Sequence, residues 1–435
     1  MKTKIFSFLT GIFLFHTVNS QEVRLTVEEA VRMGLEKSKA IHASMMRVQY
    51  ADARASEASA LMLPSLKLSG GYTRLSDIPP SILNTPFGLV EISPTVLNNY
   101  NVRLSLQQPL FTGFRLQRNS DIADYNSQAT QKEFEKDKSE LVYSIKAAYW
   151  SLFKALDIQK VVNENVDQVK THLKDVENWQ KQGIATTNDI LKVQVQFSDA
   201  RLRQIDANNG VQLARIVLNN AIGIPLETEV AIGSGIQQDA RHFPDLSALI
   251  SQALQKRPDL QSMELRVKAG DAAVSLAQAS WWPQVFLTGN YMTARPNQRI
   301  FPIQDVFKDT WDVGVGISFD VWNWGTTVHQ TDQARAQLAQ VQNGYGQLRD
   351  AAVLDVTRNY LNLGRARERI TVAEQGVQQA EESYRVTNSK FKQGLGMNSD
   401  LLDAEVALLQ AKTNYTQALV DFGLAGAALE RAIGE

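Results

Sequence analysis

The side chains that could do chemistry are few and poorly grouped for it. The 435-residue chain has no cysteine and five histidines, His16, His42, His172, His242 and His329. No two of these histidines have metal-ligand spacing, and HExxH, Gly-x-Ser-x-Gly and phosphate-loop patterns are absent. Lack of cysteine also excludes disulfide frameworks, thiolate metal sites and thiol nucleophiles. Val313-Gly314-Val315-Gly316 reads as glycine on one face of a strand rather than as a nucleotide loop. The sequence therefore predicts no catalytic residue, no metal site and no cofactor. Asp400 and Asp403 are the carboxylates that stand out. They are three residues apart and share one helix face. That face lies roughly 140° from a seam of Leu401, Glu405 and Leu408. A helix dipole favours an acid in the first turn, which accounts for Asp400 without any function. Asp189 has a similar account, as the partner of Thr186 in a capping pattern.

Charge and hydropathy narrow the class further. The chain has 45 Lys and Arg against 46 Asp and Glu, a net charge of −1. Such a balance argues against a nucleic-acid partner, because phosphate-tracking surfaces need a basic excess. Lys2 and Lys4 precede the uncharged apolar run Ile5–Val18, with cleavage expected after Ser20. Residues 1–20 read as a secretory signal, since the run is shorter than the roughly 20 residues a spanning helix needs. A protein exported in this way is either soluble outside the cytoplasm or spans a membrane as a β-barrel.

The chain is one unit written twice. Gln182-Gly183 followed by Asp189-Ile190-Leu191 returns 211 residues later as Gln393-Gly394 followed by Asp400-Leu401-Leu402. The stretch Leu218–Gly223 returns at the same spacing as Leu429–Gly434. Earlier in each half, Leu63-Pro64 parallels Trp282-Pro283 at a spacing of 219. Ordered matches of this kind mark an internal duplication. The first copy is expected over 21–222 and the second over 246–435, with a linker at 223–245.

Within each copy two periods alternate. From Phe114 to Gln182 there is no proline, and Leu141, Ile145, Ala148, Leu152 and Ala155 step by four and three. Val162, Val166, Val169, Leu173 and Val176 continue the pattern. Ile190, Val193, Phe197 and Ala200 begin a second run, and Leu401, Leu408, Tyr415 and Phe422 repeat it in the second copy. A 3.5-residue repeat sustained this long predicts coiled-coil hairpins at 114–222 and 326–435. Shorter helices are expected at roughly 26–62 and 246–281. Period-two alternation predicts strands at 65–75, 100–111, 283–295 and 311–322. Each is near the 9–11 residues a tilted strand needs to cross a bilayer. Trp281, Trp282, Trp322, Trp324 and Phe111 fall at one set of strand ends, where interfacial aromatic girdles are found. Four strands cannot close a membrane barrel, two copies would give a filled barrel, and three copies would leave a lumen.

With these residues in place, the chain resembles the TolC family of outer-membrane efflux channels of Gram-negative bacteria. The carriers are Leu25-Thr26-Val27-Glu28-Glu29-Ala30, Gln108-Pro109-Leu110-Phe111-Thr112-Gly113 and the two glycine tips with their downstream aspartates. The resemblance implies a mixed α/β membrane protein. A homotrimer would form a 12-stranded outer-membrane barrel standing on a periplasmic α-helical coiled-coil tunnel. It implies outer loops at Ser76–Asn99 and Ala294–Thr310. It also implies outer-membrane lipid, a periplasmic adaptor and an inner-membrane transporter of the RND or ABC type as partners. Passive exit of small molecules is the implied function, with a type I protein or peptide secretion duct as the alternative. Asp400 and Asp403 match the family's acidic ring at the periplasmic entrance. Asn188 and Asp189 match part of the acceptor side of its closing latch. The donor positions read Phe391 and Gly396, which lack hydrogen-bonding side chains, so closure here must differ. Gly183, Ile184, Gly394 and Leu395 form the tips that would meet the adaptor.

Overall fold

The computed structural model describes residues 23–77, 79–236 and 243–435. The expected leader 1–20, with His16, lies outside them, as do His242 and part of the expected linker 223–245. The first half of the chain forms β1 (Val23–Leu25), α1 (Val27–Lys37), α2 (Lys39–Ala60), β2 (Ser65–Arg74), β3 (Ser81–Thr85), β4 (Gly88–Ser93), β5 (Asn98–Phe111), α3 (Arg115–Lys181) and α4 (Thr187–Ile222). The second forms β6 (Val230–Ile232), α5 (Leu246–Lys256), α6 (Pro258–Gln278), β7 (Gln284–Arg295), β8 (Lys308–Ser318), α7 (Thr326–Lys392) and α8 (Asn398–Ala432). Helices α3 and α7 are both 67 residues long. Helices α4 and α8 have 36 and 35.

The chain divides into two compact units. One holds the described residues within Met1–Lys39, Lys138–Pro244 and Thr357–Arg431. Its core follows the seam periodicity: Ile145, Leu152, Val169, Val176, Val193, Leu218, Leu401, Leu408 and Leu429 are all buried. Full burial of one such side chain stabilises by about 1.5–3 kcal/mol. Tyr149, fully buried, donates its hydroxyl to the Leu25 carbonyl at 2.9 Å and accepts from the Ser234 amide at 3.1 Å. It thereby pins the short parallel ribbon of β1 and β6, in which Val23 pairs with Val230. That ribbon puts a strand in the segment expected only as a linker. Gly223 ends α4 at φ +76 against the Lys37 carbonyl.

The other unit holds Ala40–Asp137, Asp245–Val356 and Ala432–Glu435. Here Gly434, at φ +86, lies against Lys256 and the Arg257 amide, the counterpart of the Gly223 contact. Arg257 breaks the second short helix into α5 and α6. It takes an extended conformation before Pro258, which suits a helix's first turn but cannot donate a backbone bond. Its guanidinium bonds Asp259 at 2.8 Å and Asp355 at 3.0 Å. Ser38 breaks the first short helix in the same extended way.

The unit's antiparallel sheet runs β2-β5-β7-β8, leaving β2 and β8 as edges. Leu68 pairs with Leu104, Leu104 with Tyr291 and Tyr291 with Trp311. Strand β8 differs from the expected 311–322: it starts at Lys308 and stops at Ser318. Ser318 pairs with Gln284, the first residue of β7, and Pro283 just before it has no N–H to extend the ladder. Pro109 likewise coincides with a register shift in β5. The expected outer loop 76–99 contains the hairpin β3–β4, whose turn closes at Gly88 with φ +119. Its prolines hid the short alternating runs on either side.

Candidate functional site

Two places gather the residues singled out by sequence: the turns that join the paired helices, and the exposed sheet. At the first turn Gly183 has φ +75, and at the second Gly394 has φ +72. Both are left-handed, and each ends its long helix as a glycine cap does. Ile184 is 64% exposed and Leu395 76% exposed, beside exposed Met397. After the first tip, Thr186 caps α4: its hydroxyl accepts from the Asp189 amide at 3.2 Å, and its own amide donates to the Asp189 carboxylate at 3.0 Å. The Thr186 hydroxyl, followed by its backbone amide, holds the Asp189 carboxyl below the usual carboxylate range. A depressed value stabilises the fold above the ordinary carboxylate pKa, and this contribution is lost as pH falls through the lowered value.

Asn188 is exposed and makes no bond to the second tip among those described. The link between the tips comes from Asn398, whose Nδ2 donates to the Asp189 carbonyl at 3.4 Å. Asp400 and Asp403 are both exposed on α8, while Leu401, Glu405 and Leu408 are buried on the opposite side. Phe391, expected to be a missing latch donor, is only 2% exposed. Its ring packs against Trp179 at 4.4 Å and edge-on to His172 at 4.9 Å. A tyrosine in that place would bury a hydroxyl instead of offering a surface donor.

Sequence reading missed the group beneath these tips. His172 Nδ1 lies 3.3 Å from the Glu405 carboxylate, both side chains are 1% exposed, and His172 Nε2 has no partner. The available signal was Glu405 itself, an acid on the seam position of α8.

On the sheet, Leu66, Leu68, Val102, Leu104, Val313, Val315 and Ile317 are exposed on one face. Trp281, Trp282, Trp322 and Trp324 are exposed at the helix-proximal end. Trp322 meets Trp324 edge-on at 5.8 Å, and Phe111 meets Phe114 at 5.5 Å. Trp322 and Trp324 lie beyond the end of β8 rather than on it. A second aromatic group, not anticipated, sits at the other end: Tyr72 packs at a tilt against Tyr100 at 4.9 Å, and Phe307 lies 6.0 Å from Tyr100. An apolar sheet face bounded at both ends by aromatic rings has the form of a membrane strand surface.

A model of the outer membrane efflux protein family matches residues 30–224 and 249–435. The chain belongs to that family. It is 22% identical over 326 residues to toxin and drug export protein A of Aggregatibacter actinomycetemcomitans, covering 72% of this chain and 70% of that one. It is 24% identical over 338 residues to alkaline protease secretion protein AprF of Pseudomonas aeruginosa, covering 76% of this chain and 69% of that one. Its fold matches the outer membrane protein VceC of Vibrio cholerae with a TM-score of 0.79 at 18% identity, over 94% of this chain and 96% of that one. This is an outer-membrane protein that reaches the periplasm, and its family is one of export ducts rather than of enzymes.

Proposed function

We propose that this chain is the outer-membrane exit duct of a tripartite efflux system, carrying small molecules passively from an inner-membrane pump. The observation that carries the reading is the sheet: the middle of one face is apolar and largely exposed, and the outer edges of β2 and β8 have no partner strand among the described residues. Open edges on an apolar sheet need a partner strand, and three copies supply a 12-stranded barrel with a lumen. The apolar face would then meet outer-membrane lipid, and the coiled-coil hairpins of the trimer would line the periplasmic tunnel. Exposed Ile184 and Leu395 suit an apolar contact with a periplasmic adaptor. Likeness to AprF, named for protease secretion, favours the second reading, a type I secretion duct, which differs in partner and cargo rather than in architecture.

The test uses the absence of native cysteine. One cysteine at Ile184 or Leu395, crosslinked in living cells with a short thiol-to-amine reagent, should capture a periplasmic adaptor. That adaptor's pump, of RND or ABC type, then separates efflux from secretion. Capture of cytoplasmic or extracellular proteins alone overturns the duct reading.

In this reading Asp400 and Asp403 from three copies form an acidic ring at the entrance. Such a ring concentrates cations and raises the barrier to anions. Asp400→Asn with Asp403→Asn should lower the K+/Cl− permeability ratio by at least about twofold in planar bilayers. An unchanged reversal potential at normal conductance would remove both residues from the gate.

A further inference from the structure

The other face of the sheet is polar, and its charge is one-sided. Alternation along β2, β5, β7 and β8 places Lys67, Arg103, Lys308 and Asp312 opposite the apolar face, three cations and one anion. Lys67, Ser105, Asn290 and Asp312 stand in one cross-strand row. Along it Ser105 donates to Asn290 at 2.9 Å, and Asn290 donates to Asp312 at 2.9 Å. The loop between β7 and β8 then supplies another cation: Arg299 lies 2.7 Å from the Asp312 carboxylate. That loop is tied over the same face, because Asn297 donates to the Lys308 carbonyl at 2.9 Å and to the Thr310 hydroxyl at 3.2 Å.

Asp312, the one carboxylate on this face of the four strands, is thus neutralised from the loop. Arg103, in the neighbouring row, is left facing open space. Its guanidinium donates only to the Met292 sulfur among the described bonds, at 3.5 Å, and its side chain is exposed. A thioether is a weak acceptor and compensates no charge. The cross-strand arrangement therefore leaves Lys67, Arg103 and Lys308 on a face whose one strand carboxylate, Asp312, is already paired with Arg299.

We propose that Arg103, with Lys67 and Lys308, gives the barrel lumen a cationic band that favours anions and anionic groups of the cargo on their way out. The inference rests on the duct reading, which turns the polar face inward. Three copies would place nine cations around the exit, opposite in sign to the carboxylates proposed at the entrance. Clustered charge of one sign on a low-dielectric wall raises the local concentration of counter-ions. The cargo class this implies is small amphipathic molecules carrying carboxylate, sulfonate or phosphate groups.

The measurement is the reversal potential of the purified full chain in a planar bilayer under a KCl gradient. Arg103→Gln with Lys67→Gln should raise the K+/Cl− permeability ratio at least about twofold at low salt. The shift should fade as the screening length falls from about 10 Å at ~0.1 M to about 3 Å at ~1 M. Arg103→Lys should behave as the unaltered protein does. If the double variant does not insert, Arg299→Gln gives an independent arm, since baring Asp312 should move the ratio the same way. Conducting channels whose reversal potential is unmoved by either variant overturn the cationic band and leave the duct intact. Failure of the unaltered protein to conduct at all overturns the duct reading instead.

Discussion

Gly113→Ala should leave almost no folded protein in the outer membrane, whereas Gly183→Ala should leave nearly the normal amount. Both glycines have left-handed backbone, φ +62 and φ +75. An alanine in that region costs roughly 1–2 kcal/mol. Gly183 incurs that cost alone, because a Cβ there meets nothing within 4 Å. At Gly113 a Cβ would sit 2.5 Å from the Ala279 carbonyl oxygen and 2.7 Å from the Trp282 Cβ. Neither can withdraw easily, since that carbonyl accepts from the Trp282 amide at 3.1 Å. Adding a typical overpacking cost gives on the order of 3–4 kcal/mol, a large share of a domain's stability. The position joins β5 to α3, and Phe114 beside it also has positive φ, so the turn has little slack. Equal recovery of the two variants from isolated outer membranes would refute the argument.

His172→Leu should destabilise the helical unit by roughly 3 kcal/mol, because it leaves the Glu405 carboxylate buried without its partner. Glu405→Leu should cost less, about 1–3 kcal/mol, since it strands only the Nδ1 of a buried imidazole whose Nε2 is already unpaired. Combining the substitutions should cost less than their sum, by about 1–3 kcal/mol. The pair links α3 to α8 just beneath the tips, and the Phe391 ring covers the imidazole. Loss of the pair should therefore also loosen Phe391 against Trp179. A double-mutant cycle on denaturant unfolding measures the coupling. Additive costs would show that the two side chains are buried side by side without supporting each other.

What the sequence by itself determined is everything with a local period. The four-three spacing of Leu141 to Val176 placed the seam of α3, and those residues are buried or half-buried along its length. Alternation at Leu66–Leu68, Val102–Leu106 and Val313–Ile317 assigned the apolar sheet face, because side chains on a strand change sides at every residue. Glycines 183 and 394 were readable as helix ends, since a helix stops most cheaply in the left-handed region. The acidic pair Asp400 and Asp403 was readable as one exposed face from its spacing alone.

Only the tertiary structure decided which faces meet and in what register. His172 and Glu405 are 233 residues apart, and nothing in either helix's own period aligns them. The end of β8 at Ser318 depended on its neighbour, because Pro283 leaves no donor for a further pair. The outer aromatic group joins Tyr72, Tyr100 and Phe307 from two strands and a loop, so no single segment displays it. Arg299 reaches Asp312 only because the loop folds back over the polar face, and that contact changes the charge of the whole surface. Periodicity fixes the direction a side chain takes from its own backbone, whereas its partner is fixed by the packing of elements distant in the chain.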